Sequence, residues 1–286
     1  MTFTSKQRII YFLSLLTLLT LVAHYAAPFL LPKNVAPLIV MWSPALAAFL
    51  IGIATKRSFK EIGWRPGKMK WLAAGWLIPI LYAFVAYALI WVLNLGSVPN
   101  PVFLERARLA LSMPDQPDWL VIVSAFSFIT IVNLIPGMIF SLGEEIGWRG
   151  FMVPEFTSWI GFRKASIWGG VIWSAWHLPG ILSGTYGAES TPLFLRLLCF
   201  AAMVVSTAVM LAWLRMKSGS IWPAVIFHAT HNSVIQSFFD RITADTGSTK
   251  YFTGEFGIAM VPFVVVIAWY FLKRSPESEV VQTKQE

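Results

Sequence analysis

Two adjacent carboxylates and an arginine interrupt an apolar stretch of this chain, in the run Gly143-Glu144-Glu145-Ile146-Gly147-Trp148-Arg149-Gly150. Ionisable groups are costly at membrane depth, and those that persist there are usually functional. Glu145 and Arg149 are four residues apart, so a helix places them on one face as an ion pair. Glu144 is rotated by about 100° from its neighbour. We therefore expect Glu145 to be structural and Glu144 to act as a general base.

Further polar side chains stand in later apolar segments and repeat the same spacing. Trp173 and His177 are four residues apart, and so are His228 and Asn232. An asparagine one turn from a histidine can orient its ring or donate a hydrogen bond to a developing oxyanion. His231 lies three residues from His228, on a neighbouring stripe of the same helix. Taken singly, an intramembrane histidine is more often a packing residue, and a carboxylate–arginine cluster can be a charged helix end.

In combination, these residues supply a base, two imidazoles and a hydrogen-bond donor. Those groups are what the activation of water at an amide carbonyl requires. The same set would also suit a divalent metal ion with one open position, such as zinc bound by Glu144, His177 and His228. The single cysteine, Cys199, excludes an intramolecular disulfide and a cysteine-based structural zinc site.

The composition places the chain in a bilayer. Its 286 residues are 57% hydrophobic and 13% charged, whereas a soluble domain carries about 25% charged residues. The net charge of +8 does not indicate nucleic-acid binding, because the basic residues cluster between apolar runs as the positive-inside rule predicts. We expect an all-α, polytopic membrane helical bundle that is surrounded by lipid in the plasma (inner) membrane.

Eight apolar stretches approach the length that a bilayer needs, roughly 20 residues. They are residues 9–31, 35–54, 71–95, 119–141, 163–182, 192–214, 220–239 and 255–273. The first is interpreted as a spanning helix rather than a signal peptide, because its apolar run is too long. Basic clusters at the N-terminus, in residues 55–70, and beside the fifth, sixth and eighth spans fall on one side if both termini are cytoplasmic. Arg57 and Arg215 belong to these clusters.

The polar chemistry divides the chain into three regions. Residues 1–118 hold the N-terminal transmembrane helices and a proline-rich connection with a short amphipathic helix near 102–112. Residues 119–240 carry nearly all of the intramembrane polar groups and form the predicted catalytic core. Residues 241–286 hold the last transmembrane helix and a polar tail, 275–286, which we expect to be disordered.

The motifs Glu144-Glu145-x-x-x-Arg149, aromatic-x-x-x-His177 and His228-x-x-x-Asn232 resemble those of the CPBP family. This family comprises the CAAX proteases and bacteriocin-processing enzymes and is also called the abortive-infection family. The resemblance covers residues 119–240 and implies an intramembrane endopeptidase. It implies that Glu144 and His177 activate water, while His228 and Asn232 stabilise the oxyanion. Both a metalloprotease and a metal-free, glutamate-type mechanism are compatible with the resemblance. The family's second motif normally begins with Phe, and Trp173 stands there in this chain.

Straight helices would keep the two halves of this site apart. The charge rule puts Glu144 near the cytoplasmic end of the fourth span, whereas His177 lies 14 residues after Arg163, about 21 Å of helix rise. We therefore predict a longer or bent fourth helix that carries Glu144 deeper. Its break is expected at Pro136-Gly137, and Gly169-Gly170 is expected to mark the start of the fifth helix.

Three functional hypotheses follow from these residues. The first is hydrolysis of a peptide bond in a membrane-associated or lipidated, CAAX-type protein. The second is a proton-coupled transporter that uses Glu144, His177 and His228 as a relay; it predicts inverted repeats, and none is visible in the sequence. The third is a non-catalytic scaffold or immunity protein that binds a partner through the same cavity. We favour the first, because the complete set of hydrolytic groups recurs in one half of the chain.

Overall fold

The computed structural model describes residues 3–25, 36–187 and 191–275, and within these ranges it is helical and contains no β-strand. The first five helices are α1 (Ser5–Tyr25), α2 (Ala36–Ala54), α3 (Met69–Val92), α4 (Pro101–Leu111) and α5 (Asp118–Ser127). The next four are α6 (Leu134–Glu145), α7 (Val153–Ile160), α8 (Phe162–Trp176) and α9 (Leu178–Leu182). The last four are α10 (Leu193–Ser218), α11 (Trp222–Asn232), α12 (Asp240–Ile242) and α13 (Val261–Lys273).

The chain is an integral membrane protein with the predicted all-helical architecture. Four helices, α1, α2, α3 and α10, are long and apolar enough to cross a membrane, and a bent pair gives a fifth if it counts as one span. The short helix predicted near 102–112 is confirmed as α4. The number of spans and the cytoplasmic placement of the termini stay predictions. The end of the predicted first span and residues 276–286 of the predicted tail lie outside the described residues.

The predicted fourth span is confirmed as longer and bent. It runs through α5, α6 and α7 with π-helical turns between them at Phe128–Val132 and Ile146–Met152. Its two parts meet at an angle of 41°. The break lies at Asn133. The prediction of a break at Pro136-Gly137 was therefore wrong. Pro136 occupies the first turn of α6, where a missing backbone N–H leaves no hydrogen bond unmade.

Helix α10 is the centre of one half of the bundle and packs against α8 and α13, while α11 packs against α3 and α6. Gly170 lies inside α8 and does not mark its start, so the expectation for Gly169-Gly170 was wrong. A Cβ at Gly170 would stand 2.7 Å from Cα of Val205 in α10. The residue is therefore glycine because the two backbones approach closely.

Helix α2 presses against the motif that carries the two glutamates. A Cβ at Gly143 would lie 2.7 Å from the Trp42 side chain, and one at Gly147 would lie 2.7 Å from the carbonyl carbon of Pro44. Real Cβ atoms do not tolerate such separations. The two glycines therefore let α2 seal one side of the motif and hold Glu144 and Glu145 against the rest of the bundle.

Candidate active site

The long fourth helix and α8 bring Glu144 and His177 to one depth. Gly161, at a φ of 79°, separates α7 from α8 and turns the chain back on itself. Glu144 lies 16 residues before Ile160, and His177 lies 15 residues after Phe162. At 1.5 Å per residue, these offsets are about 24 Å and about 22 Å. The depth difference inferred from straight helices therefore disappears, because the fourth helix extends well beyond residue 141.

The ion pair expected between Glu145 and Arg149 is present and fully enclosed. The Nη1 atom of Arg149 lies 2.8 Å from Oε1 of Glu145, and both side chains are at most 2% exposed. The same carboxylate oxygen lies 2.9 Å from Nδ1 of His228 on α11. The structure thus gives His228 a carboxylate partner on a different helix. No hydrogen bond joins the side chains of His228 and Asn232 within the described residues, so the Asn232 amide does not orient that ring.

Both glutamates and Asn232 stand where an α-helix gives way to a π-helical turn. Glu145 is the last residue of α6 before the turn Ile146–Met152, and Asn232 is the last residue of α11 before the turn Ser233–Phe239. Such π-helical insertions are frequent at functional sites, because they change the direction in which neighbouring side chains point. The sequence carries no pattern that marks these turns, and we did not predict them.

Trp173 connects the polar side chains of the site. Its indole Nε1–H donates to Oε2 of Glu144 over 2.8 Å, and its backbone carbonyl lies 2.8 Å from Nδ1 of His177. The Arg149 guanidinium lies over the indole ring, 4.1 Å from its centroid, and the His228 ring meets it edge-on at 5.3 Å. The indole N–H is a contact that a phenylalanine at this position would lack.

The residues predicted to be catalytic converge on one cavity of about 760 Å³. Its wall includes Glu144, His177, His228 and Asn232, whereas Glu145 and Arg149 do not line it. The placement agrees with the division of the motif into an enclosed ion pair and one carboxylate that faces the cavity. Apolar side chains from α1, α2 and α10 complete the wall, and they include Ala23, Val40, Met41, Phe200, Met203 and Val204.

A second polar network in the cavity wall was missed by sequence reasoning. Nε2 of His231 lies 3.0 Å from Oε1 of Glu255, and the Gln236 amide donates to the same oxygen over 3.0 Å. The Tyr186 hydroxyl donates to the other Glu255 oxygen, and Tyr82 hydrogen bonds to Nδ1 of His231. Glu255 stands at the start of the predicted span 255–273. A carboxylate at the first residue of an apolar span is the sequence signal that could have revealed this second network.

The described side chains, as they are arranged, do not form a metal centre. Among them, no group of three His, Cys, Asp or Glu residues is placed to hold a metal ion. Nδ1 of His177 contacts the Trp173 carbonyl, and Nδ1 of His228 contacts Glu145. These contacts leave Nε2 of both rings open, as they would in histidines that bind a metal through that atom. The zinc site of Glu144, His177 and His228 stays a prediction, and we derive no step through a metal.

A comparison with known sequences shows which proteins this chain is similar to. Residues 123–234 match the model of a family described as "Type II CAAX prenyl endopeptidase Rce1-like". This match spans 112 of the 286 residues, and we call residues 123–234 the Rce1-like segment. The chain is also 30% identical, over 168 residues, to the CAAX prenyl protease 2 of Methanococcus maripaludis. That alignment covers 54% of this chain and 60% of the relative's length.

The Rce1-like segment contains all three motifs that carried the resemblance, so the resemblance is confirmed for this part of the chain. It begins inside α5 and ends two residues after α11. Glu255 and the N-terminal helices lie outside the Rce1-like segment, although both contribute to the cavity wall.

Proposed function

We propose that this chain is an intramembrane endopeptidase that hydrolyses a peptide bond in a lipid-anchored, CAAX-type protein of the plasma (inner) membrane. One observation carries the proposal: Glu144 of α6, His177 at the end of α8, and His228 and Asn232 of α11 line one cavity whose wall also holds many apolar side chains. The description of the matched family and the name of the relative point to the same substrate class. The apolar part of the cavity wall suits the hydrocarbon chain of a lipid anchor.

Glu144 and His177 are suited to activate water. Trp173 holds one carboxylate oxygen of Glu144, which orients the group and leaves the second oxygen to accept a proton. A carbonyl can only accept, so Nδ1 of His177 carries the hydrogen that it gives to Trp173. In the neutral ring, Nε2 is then an acceptor that can hold the second hydrogen of the same water. The water oxygen is thereby free to attack the carbonyl carbon of the peptide.

Asn232 and His228 are suited to stabilise the oxyanion that this attack creates. No hydrogen bond occupies the Asn232 amide within the described part of the chain, so its N–H groups are available to the substrate. His228 can donate from Nε2 when its ring is protonated, and the Glu145 carboxylate at Nδ1 compensates that charge. The tetrahedral intermediate collapses when Glu144 passes the water proton to the amide nitrogen. The C–N bond then breaks to give a carboxylic acid and an amine. The acid passes the remaining hydrogen of the water to the amine, so the products leave as a carboxylate and an ammonium group.

The proposal is tested with purified protein in lipid nanodiscs and a farnesylated CAAX-type peptide. The same peptide without the lipid is the matched substrate control. We expect cleavage by the wild type, no cleavage by Glu144→Gln, and a kcat lower by roughly 100- to 1,000-fold in Asn232→Ala, since one oxyanion donor contributes about that much. Cleavage by Glu144→Gln at the wild-type rate would overturn the proposal.

A chelator arm tests the role that we assign to side chains alone. We expect cleavage to be unchanged after incubation with a strong zinc chelator and dialysis. If chelation abolished cleavage and added zinc restored it, a metal-dependent mechanism would replace the side-chain scheme. The proposal that this chain is a peptidase would still stand.

A further inference from the structure

Two arginines that were used to orient the chain in the membrane are buried next to the motif Glu144-Glu145-x-x-x-Arg149. Arg57 follows α2 and Arg215 lies near the end of α10, and each is 7% exposed. Nε of Arg215 donates to the backbone carbonyl of Arg149 over 3.1 Å. Nη2 of Arg57 donates to the carbonyl of Gly150 over 3.2 Å. Both side chains therefore end on the π-helical turn that follows the two glutamates.

The two carbonyls need these donors because Pro154 removes the donors that the helix would supply. The N–H of Val153 is already bonded to the carbonyl of Trp148, five residues back. In a π-helix, the carbonyl of Arg149 would accept from the nitrogen five residues ahead. In an α-helix, the carbonyl of Gly150 would accept from the nitrogen four residues ahead. Both counts reach the nitrogen of residue 154. Proline has no N–H, and buried carbonyls without a partner are costly. The arginines supply the missing hydrogen bonds from outside the helix.

The space around each arginine is shaped to hold it. Gly63 has a φ of +90°, and a Cβ there would lie 3.1 Å from Cζ of Arg215. Nη2 of Arg215 also donates to the carbonyl of Glu61 over 2.6 Å. Nε of Arg57 lies 2.9 Å from Glu155 and 3.1 Å from Glu61. Each guanidinium is thus fixed at more than one nitrogen, as a positioning group must be.

We propose that Arg57 and Arg215 are positioning residues for the active site. They hold the backbone of the turn so that the Arg149 guanidinium stays paired with Glu145 and stacked on the Trp173 ring. This inference rests on the proposed function, because it assigns a catalytic consequence to the geometry of that turn. It predicts that both arginines affect the chemical step more than substrate binding.

The variants are Arg57→Gln and Arg215→Gln, with Arg108→Gln as the matched control. Arg108 also donates to backbone carbonyls, those of Met113, Pro114 and Gln116, and to the Asp118 carboxylate. These contacts lie in and next to the connection after α4, away from the cavity. The three proteins are compared in nanodiscs for kcat and KM with the farnesylated peptide. Amide hydrogen exchange of residues 146–152 is measured on the same samples. Arg215→Lys keeps the charge and serves if Arg215→Gln does not fold.

We expect kcat to fall by roughly ten- to a hundredfold in both variants, with KM within about twofold of wild type, since a 1 Å misplacement can cost about a hundredfold. Exchange in residues 146–152 should rise in both and stay unchanged in Arg108→Gln. Arg215→Lys should lie between the wild type and Arg215→Gln. Combining either change with Arg149→Lys should lower kcat by less than the product of the single effects.

Three results would contradict the inference in different ways. Unchanged exchange in both variants would show that the arginines do not hold the turn. Raised exchange with unchanged kcat would show that they hold it without any catalytic consequence. A wild-type protein that cleaves no peptide would instead overturn the proposed function, and the exchange data would then decide separately whether the arginines hold the turn.

Discussion

The division of labour between the two adjacent glutamates can be tested by one substitution at each. Glu145→Gln removes a buried charge that faces Arg149 and His228, whereas Glu144→Gln changes a carboxylate that faces the cavity. The two substitutions are chemically identical and one residue apart. We expect the first to lower stability strongly and the second to abolish hydrolysis while leaving the fold intact.

The expected magnitudes follow from the partners of each group. Breaking a buried ion pair by removing one partner costs about 3–5 kcal/mol, and Arg149 would be left 2% exposed without its counterion. At about 2–4 °C per kcal/mol for a chain of this order of size, Glu145→Gln should lower Tm by about 6–20 °C. In Glu144→Gln the amide oxygen still accepts from Trp173. The loss is the difference between a charged and a neutral hydrogen bond, about 1 kcal/mol or about 2–4 °C.

The assay is thermal unfolding of all variants in one detergent, followed by intrinsic tryptophan fluorescence, with cleavage measured in parallel. The double variant Glu145→Gln with Arg149→Met removes the stranded charge and should recover a large part of the lost Tm. Equal Tm values for the two single glutamine variants would refute the reasoning. So would a double variant whose loss is the sum of the two single losses, because the pair would then carry no coupling energy.

Three more outcomes follow from contacts in the site. Trp173→Phe keeps the aromatic packing but removes the hydrogen bond to Glu144. We therefore expect kcat to fall by roughly tenfold or more while Tm changes little. An unchanged kcat would show that the indole N–H is dispensable. Gly147→Ala pushes a methyl group into Pro44 and should lower the free energy of unfolding by about 1–3 kcal/mol. The measurement is a lower Tm. A stability equal to that of the wild type would contradict the close approach of α2. Glu255→Gln weakens the hydrogen bonds that the carboxylate accepts and should lower Tm by a few degrees without abolishing cleavage; loss of all cleavage in folded protein would give Glu255 a catalytic role.

The part of the site that lies within single helices was predictable from spacing. A four-residue separation places two side chains on one face whatever surrounds the helix. The Glu145–Arg149 pair and the contact between His177 and the Trp173 carbonyl both have this spacing. The bend in the fourth helix was also predictable, because two groups of one site could not otherwise reach the same depth. Its position was not, since a proline in the first turn of a helix does not break it.

The contacts between helices could not be predicted from spacing. His228 binds Glu145 and not Asn232, and His231 binds Glu255 in a connection outside the predicted core. Arg57 and Arg215 looked like surface markers of membrane orientation, yet both are buried on carbonyls that Pro154 leaves without a donor. Each of these pairings depends on which groups the packing of separate helices brings together.

The sequence by itself determined that this protein is a helical membrane bundle, and it singled out one set of polar side chains whose types suit hydrolysis. The physical reason is that a chain this apolar must satisfy its backbone within each segment, while rare polar groups in it stand out. Only the tertiary structure decided the depth at which Glu144 meets His177, the carboxylate that holds His228, and the arginines that hold the π-helical turn. Those features arise from the packing of helices that are far apart in sequence, and no local periodicity records them.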